Sequence, residues 1–295
     1  MTLAIPIQQV AAFAEAPFEG NPAAICRLDA WLPEALMQAI AAENNLSETA
    51  FVLGANGHYW IRWFTPSCEV DLCGHATLAA AHVLLQQDPA SDQIQFKCKS
   101  GDLLVQRQGE RLTLDFPMQR ARPCNPPDGL TRALGTTPST CLLGEDLIAV
   151  VADESTVRDL SPDLKAVASL PGRGLIVTAR GHEVDFVSRF FAPSIGIDED
   201  PVTGSAHCSL TPYWAEQLGR NSLDARQLSK RRGTLHCQLA GERVLISGRV
   251  MPYLRGVIHL ENEPSDLPAQ HLPTAFDRYQ QSKGQSSDPA YIPLN

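Results

Sequence analysis

A chain of 295 residues is longer than one compact core usually takes, so two domains are expected. Its formal net charge of −9, read without any basic cluster, argues against nucleic acid or an anionic membrane surface as a partner. Hydrophobic residues at 44% against 19% charged are enough to fill ordinary cores and argue against disorder.

The first residues, Met1-Thr-Leu-Ala-Ile-Pro-Ile, lack a basic segment, and Gln8-Gln9 interrupts the apolar run, which argues against a secretory leader. No window reaches the length of a membrane helix. Residues 5–13 and 23–28 read as strands around a Pro/Gly loop. Pro33 suits a first helical turn, and Leu36, Ile40 and Glu43 fall on neighbouring turns before Asn44-Asn45 ends the helix. Residues 48–53 and 59–64 read as strands, and the Ala- and Leu-rich stretch from Gly74 to Gln87 as a helix. Residues 117–138, rich in Pro, Arg and Gly, read as the connection between domains. A strand at 147–152 follows, then a helix opened by Ser161-Pro162-Asp163 and running to about residue 170, and strands at 174–179 and 184–191. The stretch from Gly204 to Leu218 reads as a helix stopped by Gly219, followed by strands at 233–239 and 243–250 and a polar tail after 262. The eight cysteines are spread thinly with no C-x2-C pair, so they read as reduced thiols of a cytoplasmic protein, with neither a disulfide scaffold nor a metal site.

The two parts of the chain repeat. Pro33 and Pro162, both opening helices, are 129 residues apart; Phe64-Thr-Pro66 and Phe191-Ala-Pro193 are 127 apart; Gly74 and Gly204, both opening helices after an aspartate, are 130 apart. Three nearly equal offsets point to an internal duplication. Each copy delivers a glycine and a polar residue to a helix start, where unpaired N–H groups and the helix dipole can hold a carboxylate. Two such starts across a pseudo-twofold cleft would grip one small anion. Asp71 and Asp200 are also placed to act only as N-caps; for Asp71 both readings stay open. For the second segment a functional reading is favoured, because Asp200, Ser205 and His207 cluster there. Glu48, at the mouth of a strand beside Ala50, Phe51 and Val52, would be a partly desolvated carboxylate suited to acid–base work, although an isolated glutamate at a loop edge is more often just solvated. His75 is equally readable as a capping or core histidine. There is no G-x-G-x-x-G after the first strand, no G-x4-G-K-[ST] and no G-x-S-x-G, so dinucleotide, nucleotide and hydrolase chemistry lack support.

Four segments taken in order, Phe18-Glu-Gly-Asn-Pro-Ala-Ala24, Asn44-Asn-Leu-Ser-Glu-Thr-Ala-Phe51, Glu69-Val-Asp-Leu-Cys-Gly-His-Ala-Thr77 and Glu199-Asp-Pro-Val-Thr-Gly-Ser-Ala206, resemble the PhzF-like family of phenazine-biosynthesis isomerases. The resemblance covers nearly the whole chain. It implies an α+β fold of two pseudo-symmetric diaminopimelate-epimerase-like domains, each a curved mixed sheet around a central helix. The division expected is residues 1–116 and 117–267, with a tail at 268–295 that packs back on the first domain or stays loose. The resemblance places the catalytic glutamate at Glu48, with His75 and Asp200 as its catalytic partners. Asn21, Cys73, Gly74, Gly204 and Ser205 are the implied substrate-binding residues. The implied reaction moves a proton between carbons of a small anionic metabolite without cofactor or metal. A homodimer is compatible with the resemblance. Related epimerases use two cysteines before the helix-start glycines; here Cys73 holds the first such place and Thr203 the second, which a thiolate mechanism cannot use. An epimerase or racemase of the same fold, and a non-catalytic metabolite-binding protein, are the alternatives.

Overall fold

The structure is a computed structural model and describes residues 2–261; the tail expected at 268–295 lies outside them. The first run of elements is β1 (Thr2–Ala12), β2 (Asn21–Leu28), α1 (Glu34–Asn44), β3 (Glu48–Ala55), β4 (His58–Phe64), β5 (Glu69–Val70), α2 (Gly74–Gln87), β6 (Gln93–Cys98), β7 (Gly101–Gln108) and β8 (Arg111–Pro117). Then come β9 (Arg122–Pro123), α3 (Leu130–Leu134), β10 (Thr140–Leu143), β11 (Leu147–Val150), α4 (Glu154–Asp159) and α5 (Leu164–Val167). The chain continues with β12 (Leu175–Arg180), β13 (Phe186–Ala192), β14 (Ile197–Asp200), α6 (Gly204–Leu218), β15 (Ser222–Gln227), β16 (Gly233–Ala240), β17 (Arg243–Gly248) and β18 (Val250–Glu261).

The duplication is visible in the pairing. β1 is antiparallel to β2, β2 parallel to β3, β3 antiparallel to β4, β4 parallel to β6, and β6, β7 and β8 are antiparallel in turn. β10, β11, β12, β13, β15, β16 and β17 repeat the same order of directions. Each parallel step needs a crossover; α1 and α2 supply it in the first run, α4–α5 and α6 in the second. β8 and β17 join the runs antiparallel. Each run also lends a strand: β9, just after β8, pairs with β10, and β18, just after β17, pairs with β1. β18 falls within the expected second domain, yet its partner is the first strand of the chain.

Side chains carry the same repeat. Arg62 on β4 donates two hydrogen bonds to Glu69 (2.7 and 2.9 Å) and lies over the Phe64 ring at 5.2 Å. Arg189 on β13 does the same to Glu199 (2.7 and 3.0 Å) and lies over Phe191 at 4.9 Å. A forked guanidinium on a carboxylate fixes each Phe-x-Pro corner, because the geometry is bidentate.

α2 and α6 have the extents expected. Both are buried on nearly every side, and one apolar cluster contains residues from both, Leu78 and Leu210 among them. A helix apolar all round must be wrapped, and the sheet wraps it. Pro212 inside α6 removes one N–H and leaves the Cys208 carbonyl free of its helical partner. The Gln119 N–H takes that carbonyl at 3.1 Å, pinning the connecting segment to α6. Residues 117–138 are therefore more than a connection, since they also form β9 and α3. The helix expected from Pro162 to about residue 170 is short. It is the single turn α5, with Asp163 as its N-cap accepting the Lys165 and Ala166 N–H groups; α4, capped by Asp153, precedes Pro162 and lies outside the expected helix. Among the described residues no helix is long and apolar enough to cross a membrane.

Candidate active site

Gly20 and Asn45 set the first half of the site. Gly20 has φ +73, and a Cβ there would lie 2.3 Å from the Ala12 carbonyl oxygen, so only glycine lets β2 begin with Asn21 packed inward. Asn45 closes α1 with φ 48, in the left-handed region that asparagine tolerates, and turns the chain so that β3 begins at Glu48. β2 and β3 lie side by side in parallel, and α2 starts alongside with Cys73, Gly74 and His75.

These segments meet in one chain of polar contacts. Glu48 Oε2 lies 2.9 Å from His75 Nε2, an ion-pair contact with side chains 12% and 6% exposed. His75 Nδ1 has Asn21 Nδ2 at 3.2 Å and Cys73 Sγ at 3.5 Å. Asn21, fully buried, donates to Asp200 Oδ1 (2.8 Å) and to the Val202 carbonyl (2.9 Å). Its amide has two hydrogens. The two shorter contacts use them, which leaves the Cys73 sulfur as the acceptor for His75 Nδ1–H. Asp200 Oδ2 accepts from Thr203 Oγ1 at 2.5 Å. Glu48 from the first run and Asp200 from the second thus flank His75 and Asn21, whose facing nitrogens lie 3.2 Å apart.

Electrostatics follow from that closeness. Burial works against a charge on His75, but the Cys73 sulfur and the Glu48 carboxylate outweigh it, and the imidazole is held well above its usual pKa. Burial, reinforced by Glu48, pushes the Cys73 thiol up, so Glu48 is the partner that keeps the imidazolium charged. Burial first and the Glu48 charge next raise Asp200 to about 6, against the opposing pull of His75 and of its hydrogen bonds from Thr203 and Asn21.

The second helix start is built differently. Thr203 is the N-cap of α6 but makes no side-chain cap; its N–H is taken by Gln227 Oε1 at 2.8 Å. Gln227, fully buried, also donates to the Asp200 carbonyl (2.8 Å) and to Thr203 Oγ1 (3.1 Å). Ser205 Oγ accepts from Arg173 at 3.0 Å, and Arg173 is itself forked onto Asp146 (3.0 and 2.7 Å). A Cβ at Gly74 would meet the Phe116 ring at 3.2 Å, whereas the space beside Gly204 is open. No side-chain oxygen caps either α2 or α6; the Ala76 N–H is turned to the Cys73 sulfur, and the Gly74, Gly204 and Ser205 amides are placed to meet an anion.

The structure brings Asn21, Glu48, Cys73, His75 and Asp200 into direct sequence of contact and sets Gly74 at the start of α2. Gly204 and Ser205 begin α6 beside Thr203. Asp71 caps nothing; it is exposed, and its carbonyl accepts from Ser100. Nor does His207 join the cluster at the helix start. Its Nδ1 bonds the Thr203 carbonyl at 2.8 Å, burial lowers its pKa to about 4, and its ring lies against Phe186, so it is a neutral core histidine. Arg173 and Gln227 went unread in the sequence. The repeat could have drawn attention to Arg173, which directly precedes the second-run counterpart of Glu48; Gln227 has no such signal. Glu48, Cys73 and His75 also bring three potential metal donors within 4.8 Å of one another. His75 points one ring nitrogen at each of the other two, so a single ion could close on all three only if the imidazole turned.

A mixed sheet folded twice around paired helices, with polar groups where both helices begin, is the architecture of the diaminopimelate-epimerase-like fold. A hydroxyproline epimerase from Agrobacterium vitis shares this fold at 10% identity, with a TM-score of 0.55 over 88% of this chain and 93% of its own. Residues 10–256 match the family described as phenazine biosynthesis-like protein, and the chain belongs to that family. An "uncharacterized isomerase" of Pseudomonas aeruginosa is 54% identical over 257 residues, covering 87% of this chain and 99% of the relative. The crystal structure of a PhzF-family phenazine biosynthesis protein from Enterococcus faecalis superimposes with a TM-score of 0.84 at 46% identity, over 88% of this chain and all of the other.

Proposed function

We propose that the chain is an isomerase that moves a proton at carbon in a small carboxylate-bearing metabolite, with no cofactor. The observation that carries this is the continuous contact Glu48–His75–Asn21–Asp200 across the two runs of the fold. In this reading Glu48 takes a proton from a carbon whose carbanion is delocalised toward the substrate carboxylate. The imidazolium of His75 and the free amides at the starts of α2 and α6 hold the developing negative charge. Asp200, at about 6, exists in both protonation states near neutral pH and can give a proton to a second carbon, the proton taken by Glu48 then passing to solvent and Asp200 regaining one before the next turnover. Ser205, fixed by Arg173, orients the bound anion. Membership of a family whose relatives carry the name isomerase supports the reading.

An epimerase is the second reading, favoured by Cys73 beside His75 at a helix start. Against it, the matching place in the second run is Thr203, whose hydroxyl is given to Asp200. A non-catalytic binding protein would have no need of so many coupled titratable groups. Free cysteines suit a reducing compartment, so the reading includes a cytoplasmic protein, and a homodimer that size-exclusion chromatography with light scattering would detect.

The test is proton NMR in D2O with a panel of amino, hydroxy and unsaturated acids, run on the wild type, Glu48→Gln and Cys73→Ser. Exchange of a carbon-bound proton that Glu48→Gln abolishes supports the isomerase. Exchange lost only with Cys73→Ser, together with loss of optical rotation, would replace it by the epimerase. Saturable binding without exchange would leave a binding protein.

A further inference from the structure

We propose that a basic cavity outside the candidate active site binds a small phosphate-bearing anion. The cavity has a volume of about 340 Å³ and contains none of the residues in the Glu48–Asp200 chain. Arg158, Arg189, Arg226, Lys230 and Arg232 line it against two carboxylates, Glu154 and Glu199. The overall charge of −9 hides this island, part of which is the run Lys230-Arg231-Arg232.

The charges are not equally free. Arg189 and Glu199 cancel each other through their two hydrogen bonds. Glu154 accepts from the His182 backbone at 2.8 Å. Arg158 and Arg226 pair at 3.1 Å with Asp159 and Glu183, which are 70% and 79% exposed; such surface pairs are weak and exchange readily for a better partner. Among the described residues no carboxylate lies within ion-pair distance of Lys230 or Arg232. Lys230 and Arg232, with no ion-pair partner among the described residues, and two loosely held guanidinium groups outnumber the one carboxylate of the cavity without a guanidinium partner, Glu154, and suit a tetrahedral oxyanion, which guanidinium groups bind in forked geometry. The volume leaves room for a phosphate with a small organic group attached.

The loop that carries Lys230 and Arg232 is held in a costly shape. Arg232 has φ 62, in the region where a side chain is strained. The Gly20 N–H donates to the Arg232 carbonyl at 2.7 Å, and Arg231 donates to the Glu19 and Gly20 carbonyls at 3.1 and 2.8 Å. Ser229 Oγ donates to the Pro201 carbonyl at 2.7 Å. The loop is therefore braced on the residue before Asn21 and on the residue after Asp200, so an anion in the cavity would be felt at both. The anion site itself does not depend on the isomerase reading.

Isothermal titration of the full chain with inorganic phosphate, pyrophosphate and ribose 5-phosphate, at constant ionic strength set with chloride, tests the proposal. The expected result is saturable binding of one anion per chain, weakened at least tenfold in the double variant Lys230→Ala, Arg232→Ala and unchanged in Lys97→Ala, an exposed lysine of the first run. Stronger binding of ribose 5-phosphate than of phosphate identifies a phosphorylated metabolite, and the reverse identifies the free anion. Amide NMR shifts at residues 229–232 and 19–21 on addition of phosphate locate the site even if the double variant folds poorly. Binding that survives the double variant, an equal loss in Lys97→Ala, or a Kd weaker than about 10 mM for all three anions overturns the proposal.

Discussion

Replacing Asp200 by asparagine should make the protein more stable, and only above acidic pH. Burial and the neighbouring Glu48 raise Asp200 from 3.8 to about 6, a shift of about two units. At about 1.4 kcal/mol per unit, ionising it costs the folded state on the order of 3 kcal/mol once the pH exceeds 6. The sign follows from proton counting. Between 3.8 and about 6 the folded chain holds a proton that the unfolded chain has released, so stability falls as pH rises through that window. The new side-chain amide keeps an oxygen for Asn21, but its NH2 faces the Thr203 hydroxyl, whose proton loses the acceptor it has in Asp200, and that loss offsets part of the gain. Paired urea titrations of wild type and Asp200→Asn should show equal midpoints near pH 4 and an advantage for the variant that grows to about 1–3 kcal/mol near pH 8. A wild type that gains on the variant as pH rises would mean that His75 stabilises the Asp200 carboxylate more than burial penalises it, and the argument would fail. A stabilising substitution at this position also fits a group kept for chemistry.

Glu48→Gln should reduce proton exchange about 10²–10⁴-fold without unfolding the chain, as judged by circular dichroism. It should also lower the His75 pKa, seen in imidazole NMR titrations, because the carboxylate that favours the imidazolium is gone; an unchanged His75 titration would remove Glu48 from that role. Arg62→Ala and Arg189→Ala should each cost about 1–3 kcal/mol in urea unfolding, with Arg189 the more costly because it also donates to the Val157 and Leu160 carbonyls. Equal costs would show that those backbone bonds contribute little. Leu78→Ala in α2 and Leu210→Ala in α6, both fully buried, should each cost about 2–5 kcal/mol, and a cost below about 1 kcal/mol would mean the core collapses around the loss.

The elements legible in the sequence were those with strong local signals. α2 and α6 were readable to their ends, because α2 is an alanine- and leucine-rich run that starts at a glycine, and α6 starts at one glycine and stops at another. The duplication was legible from spacing alone, and with it the two helix starts. What local pattern could not show was pairing between distant residues. The exchange of β9 and β18 is set by hydrogen bonds between segments as far apart as Thr2 and Glu261. The helix expected after Pro162 closes after one turn as α5, and the short α4 before it, capped by Asp153, has no apolar periodicity to announce it. In the site, Glu48, His75 and Asp200 stood inside recognisable motifs. Gln227 and Arg173 sit in ordinary strand and loop sequence, and only folding brings them to Thr203 and Ser205.

The two runs are alike in backbone and unlike in chemistry, and the difference favours one kind of proton transfer. Registers of β3 on β4 and of β12 on β13 place Gly174 where the first run has Glu48. A side chain could not be accommodated there, because a Cβ would meet the Phe190 ring at 2.6 Å. Thr203 and Ser205 likewise stand where the first run has Cys73 and His75. A racemase working by two opposed bases needs its substrate between them. Here the path between Glu48 and Asp200 is filled by His75 and Asn21, so in the proposed isomerase both carboxyl groups would approach a substrate from one side. A base and an acid on one face can lift a proton from one carbon and set it on a nearby one, but they cannot invert a centre by adding it from the opposite face. Beside Asp200, the second run offers hydroxyls, helix amides and an Arg173-braced serine, groups suited to holding an anion still in the proposed reaction.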